Sequence, residues 1–122
     1  MTKVTKVKNE VYINSVLEEI QQERIKQDQR WGEQNHPILD EILLCRDPER
    51  MCQQYEIPSE PRARQLLEFA EEKGELTYMH ILMEEVSEVA STGNQIQETR
   101  KELVQVAAVA CAMIESIDRK IK

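Results

Sequence analysis

The densest chemistry in the chain lies in the segment Ile81-Leu82-Met83-Glu84-Glu85-Val86-Ser87-Glu88-Val89. Wound as a helix, Glu84, Glu85 and Glu88 fall within an arc of ~100°. Met79, Leu82, Met83, Val86, Val89 and Ala90 occupy the opposite side, and Ile81 projects among the carboxylates. An acidic helix face is most often simply solvated. Here, however, Glu84 and Glu88 form a like-charged i,i+4 pair, which costs ~0.2–0.5 kcal/mol. No Lys or Arg within four residues of any of the three offsets it. A divalent cation between them would.

A second acidic position follows after thirteen intervening residues, in Glu102-Leu103-Val104-Gln105. From Leu103 to Ile114 only Gln105 is polar, so the helix is expected to be buried all round, with its alanines permitting close helix approach. Glu102 and Gln105 are i,i+3 neighbours at the entrance to that stretch and need polar partners there. Glu84, Glu85 and Glu88 can provide them only through a bridging cation. Hard oxygen ligands at this density favour Mg²⁺ or Mn²⁺ over zinc.

The elements that must position these side chains are helical. The chain has 122 residues, 40% hydrophobic but only 4% aromatic, so its core must be built from aliphatic residues. Three glycines and four prolines are too few for a turn-rich β-sandwich. Apolar spacing predicts helices at about 14–30, 38–45, 61–73, 78–91 and 95–120. Val16, Leu17 and Ile20 would face the core, and Gly32 would stop the first helix. Thr77 is the expected N-cap of the fourth helix, and Asn94 with Gln97 that of the last. Residues 1–13 read as a flexible N-terminus and 40–60 as an irregular insertion in one domain spanning 1–122. The short connection around Gly93 predicts that the last two helices are antiparallel neighbours.

Composition excludes several classes. Sixteen basic against 23 acidic residues give a net charge of −7, the wrong sign for a polymeric nucleic-acid footprint. No apolar run is long enough for a membrane span, and MTKVTKVKNE lacks the apolar stretch of a signal peptide. Three cysteines fit reduced thiols in a cytoplasm better than a disulfide framework. Cys45, Cys52, His36 and His80 have no zinc-ligand spacing. The single Glu33-x-x-His36 spans a loop, so a di-iron bundle is rejected. His80, four residues before Glu84, is either an outer partner of a metal ligand or a helix-face contact.

The pattern E84-E85-x-x-E88 followed by E102-x-x-Q105 resembles the EExxE…ExxD signature of the all-α MazG-like nucleoside triphosphate pyrophosphohydrolases. With R24-x-x-Q27-D28-x-R30-W31-G32-E33-Q34-N35-H36-P37 and E102-L103-V104-Q105-V106-A107-A108-V109, it looks like a bacterial and phage branch that trims dGTP and dATP. The resemblance covers about residues 20–37 and 75–118; Gln105 departs from it, standing where the wider family has Asp.

That resemblance implies a MazG-like helical bundle completed by oligomerisation, as a homodimer or a dimer of dimers. It implies cleavage between the α- and β-phosphates of a (d)NTP, giving a (d)NMP and pyrophosphate. Glu84, Glu85, Glu88 and Glu102 would hold Mg²⁺ or Mn²⁺, with Glu85 and Glu88 catalytic and Glu85 favoured as general base. Lys101, Arg100, Arg62 and Arg64 are candidates for the leaving pyrophosphate, and Gln105 for a substrate contact. Trp31, Asn35 and His36 would recognise the base, Trp31 by stacking; a sole Trp at a helix end also often just packs. The competing expectation is a non-catalytic helical dimerisation or regulatory module with a degenerate site, favoured by Gln105.

Overall fold

The computed structural model describes residues 3–41 and 47–121. Among these the chain is all-helical: α1 (Lys3–Trp31), α2 (Pro48–Gln54), α3 (Glu60–Glu72), α4 (Tyr78–Ala90) and α5 (Ile96–Ile121). Among the described residues no helix is long and apolar enough to cross a membrane. The chain divides into two compact units, one of residues 1–36 with 110–122, the other of residues 37–109.

In the first unit, α1 starts at Lys3, well before the start near Asn14 predicted from apolar spacing. Intrinsic propensity does not account for the longer helix, since the added stretch carries the β-branched Val4, Thr5, Val7, Val11 and Ile13. Arg24 donates to Gln27 at 2.8 Å and Lys26 to Glu23 at 3.4 Å, both one turn apart. Of the three expected core residues only Val16 is buried, while Leu17 is half exposed and Ile20 partly so. In the C-terminal part of α5, the Arg119 guanidinium lies over the Tyr12 ring at 6.0 Å. Gly32, at φ +70°, ends α1 and donates its amide to Asp28 at 2.7 Å.

The second unit contains the largest departure from expectation. The segment read as irregular, 46–60, holds α2, capped by Asp47 and begun by Pro48. Its Met51 and Cys52 form a buried cluster with Leu39 and Ala90, against which Ile57 packs. Residues 37–41 are not helical, against the helix expected from Ile38; the rest of that expected helix, through Cys45, falls outside the described residues. Instead the Asp40 amide donates to the Tyr55 hydroxyl at 2.8 Å, and Asn94 donates to the Asp40 carbonyl at 3.3 Å. Asn94 has φ +62°, so it is a left-handed turn residue and not the helix cap predicted for it.

α3 begins at a Ser59 cap and stops before Gly74, close to prediction. Its Ala63 and Ala70 are buried. Among the described residues α3 is the principal neighbour of α4, with α2 packed on α4 as well. The connection length predicts α5 in that place. Within this chain α5 is also not buried all round: Leu103 is 40% exposed and Val104 53%.

Candidate metal centre

α4 presents its acidic side as a consequence of how its other side is held. Val89, Ala90 and Ser87 are buried, and the Ser87 hydroxyl donates to the Pro58 carbonyl at 2.9 Å. Cys52 Sγ lies 3.8 Å from the Ser87 carbonyl and from Ser91 Oγ. With that face locked to α2 and the 57–59 linker, Glu84, Glu85 and Glu88 must turn toward α3 and α5. At the N-terminal end, His80 Nδ1 faces the Thr77 amide at 3.1 Å and the Thr77 hydroxyl at 2.8 Å. His80 therefore completes a capping box, the simpler of its two expected roles.

Two carboxylate triads result. Glu85, Glu88 and Glu102 place one oxygen each within 4.8 Å of one another, and so do Glu60, Glu84 and Glu88. Glu88 belongs to both, so the two triads are one group of five carboxylates from α3, α4 and α5. The four glutamates singled out in the sequence are thus brought together. Glu60 was missed, because it reaches the group only through the packing of α3 on α4. Its sole sequence signal is its place in the first turn of α3, directly after the Ser59 cap.

The electrostatics are those of a site that resists full ionisation. Glu88 is pushed up to about 7 from its ordinary 4.5, chiefly by burial. A hydrogen bond to Glu102 that only a protonated carboxyl can donate adds to this, as do the charges of Glu85, Glu102 and Glu84. Glu85 is raised by burial first, then by Glu102 and Glu84. Its Oε2 is buried with no hydrogen-bond partner. A buried acceptor left unsatisfied costs ~1–3 kcal/mol, more when charged. An all-oxygen donor set with an orphaned, inward carboxylate oxygen fits a hard divalent cation. These carboxylates can hold a metal ion.

An open cavity of about 490 Å³ borders the group, lined by Glu60, Arg64, Glu88, Glu98 and Glu102 among others. Arg64 is ion-paired to Glu60 across one turn of α3 and is the cation on its lining. The local sequence around Glu84 offered no such counter-charge; the fold imports one from α3. Arg62 donates to Gln65 at 2.6 Å and is exposed, as are Arg100 and Lys101. Gln105 is exposed as well, not buried at a helix entrance, and it does not line this cavity.

Trp31, Asn35 and His36 belong to the first unit. Trp31 is 59% exposed with the Arg30 guanidinium 4.7 Å from its ring centroid. Asn35 donates to Glu33 at 2.9 Å, and His36 is exposed. Cys52 is a packed core residue, Cys111 a half-buried free thiol, and Cys45 lies outside the described residues.

No family model, curated protein or solved structure matches the chain. The fold and the site define an all-α protein with a glutamate cluster suited to a hard metal ion.

Proposed function

We propose that the protein is a metal-dependent nucleoside triphosphate pyrophosphohydrolase acting on purine deoxynucleotides, dGTP or dATP. The observation that carries this reading is the convergence of Glu85, Glu88 and Glu102 around the orphaned Glu85 Oε2. The resemblance of the E84-E85-x-x-E88 and E102-x-x-Q105 pattern to MazG-like enzymes supplies the substrate class.

A bound Mg²⁺ or Mn²⁺ would neutralise triphosphate charge and acidify a coordinated water. Glu84, Glu85, Glu88 and Glu102 would hold it. Glu85, made more basic by burial, takes the proton of the attacking water with whichever of its two carboxylate oxygens does not hold the metal. Attack at the α-phosphorus breaks its bond to the bridging oxygen, and pyrophosphate leaves with the electron pair. Arg64, already on the cavity wall, turns from Glu60 to the leaving group, with Lys101, Arg100 and Arg62 as further cations. The apolar residues that α5 exposes, Leu103 and Val104, pair with a second copy of the chain, as a homodimer or a dimer of dimers.

The test is release of pyrophosphate and monophosphate from a panel of nucleoside triphosphates with Mg²⁺, Mn²⁺ or EDTA. A second reading, a non-catalytic helical dimerisation or regulatory module, is favoured by the exposed position of Gln105 and the same apolar face of α5. It predicts no release and no stabilisation by either metal.

A further inference from the structure

The three helices that supply the carboxylates are not held together in the same way. Among the described residues α3 packs along α4 as its principal neighbour, which secures Glu60 against Glu84 and Glu88. α5 is less closely packed on α4, and Leu103 and Val104 beside Glu102 are exposed within this chain. Yet Glu102 brings an oxygen within 4.8 Å of Glu85 and Glu88. With little packing along the two helices, that approach is set at the turn that joins them.

The one residue of α5 buried among those described is polar: Thr99, 2% exposed. Its hydroxyl lies 2.6 Å from the Thr92 hydroxyl. Gly93 and Asn94, at φ +66° and +62°, reverse the chain between them. Each hydroxyl has one proton to donate. Each also has a carbonyl in reach, Val89 for Thr92 at 2.8 Å and Gln95 for Thr99 at 3.1 Å. Both carbonyls already accept the amide of the same threonine, at 3.2 Å and 2.8 Å. Either hydroxyl can therefore turn its proton to the other without leaving a carbonyl unsatisfied.

Thr92 comes four residues after Glu88 and Thr99 three before Glu102, so the pair lies about one turn from the meeting of those two carboxylates, on the same side. Thr92 lines the acidic cavity together with Glu88 and Glu102. We propose that the Thr92–Thr99 hydroxyl pair is the positioning element of the metal centre, fixing the spacing and register of α5 so that Glu102 meets Glu85 and Glu88. This rests on the metal-binding part of the reading above and not on its nucleotide chemistry. The two threonines act through Glu102, not as ligands.

The experiment measures the Mn²⁺ Kd from the electron paramagnetic resonance signal of the free ion, with the metal-free Tm alongside. The proteins are the wild type, Thr92→Val, Thr99→Val, the double Val variant, Thr92→Ser and Thr99→Ser. Val keeps the branched shape and removes the hydroxyl, whereas Ser keeps the hydroxyl and removes a methyl. Each Val variant should weaken Mn²⁺ binding by about tenfold, as loss of a residue that orients a metal ligand does. The double variant should bind no more weakly than either single one, because all three lack the same bond. The Ser variants should bind as the wild type does, even with a lower Tm. Wild-type affinity in the Val variants, whatever their Tm, overturns the proposal. So do additive losses in the double variant, or a loss in the Ser variants equal to that in the Val variants, which marks packing alone. If Thr99→Val does not fold, Thr92→Val, at a half-buried position, decides the matter. Mn²⁺ binding that depends on the pair, without pyrophosphate release, overturns the enzyme reading and upholds the pair's role. A wild type that binds no Mn²⁺ overturns both.

Discussion

Glu88 stands at the meeting point of both carboxylate triads, and its proton is the most informative in the molecule. Its ordinary value of 4.5 becomes about 7 in the fold, chiefly because burial penalises the charge. The folded chain therefore holds an extra proton between those values. The stability this group contributes is fully present below pH 4.5 and is lost as pH rises through about 7. Metal-free protein should accordingly lose stability across that window, as read by denaturant midpoints at a series of pH values. Metal binding requires the deprotonated site, so Mn²⁺ should raise Tm strongly at about pH 8 and little at about pH 5. Glu88→Gln removes both the charge and the titration: Tm without metal should rise, flatten against pH in this window, and cease to respond to Mn²⁺. Glu85→Gln should lower turnover by about 10²–10⁴-fold, the usual contribution of a general base, measured by pyrophosphate release. Retention of full turnover by Glu85→Gln would remove it from the mechanism.

The helices that carry the site differ in how openly the sequence declares them. α3 and α4 have clear signals at both ends, Ser59 and Pro61 opening one, Thr77 the other, with Gly74 between them, and their bounds follow closely. Glu84, Glu85, Glu88 and Glu102 could be picked out because two of their intervals are helical and α5 follows α4 after a short turn. Glu60 and Arg64 could not, since only tertiary packing of α3 on α4 delivers them. α2 was hidden for a different reason: two turns of helix are too short for apolar periodicity to show, and Met51-Cys52 are adjacent residues with no repeat. Yet Met51 is one of the most completely buried side chains in its unit. Met51→Ala should therefore cost about 2–5 kcal/mol of stability in denaturant unfolding. His80→Ala should cost less, about 0.5–2 kcal/mol, because it removes only part of a helix cap. Unlike substitutions in the acidic cluster, it should leave the Mn²⁺ response in place.

At the scale of the whole molecule, the apolar run of α5 is a promise the single chain does not keep. Leu103 and Val104 remain exposed beside Glu102, on a helix whose sequence reads as buried. A second copy covering that face is the oligomer proposed above. Sedimentation should give a dimer or tetramer for the wild type, and Val104→Glu should shift it toward monomer. A wild-type monomer at high concentration would contradict this. The central claim concerns chemistry and is met most directly by one assay: pyrophosphate release from the eight common ribo- and deoxyribonucleoside triphosphates, each with Mg²⁺, Mn²⁺ or EDTA. Release that needs a metal, stops with EDTA and favours purine deoxynucleotides is the expected result. No release from any of them, together with no metal-induced thermal shift, would contradict the account and leave a helical module whose glutamates bind nothing.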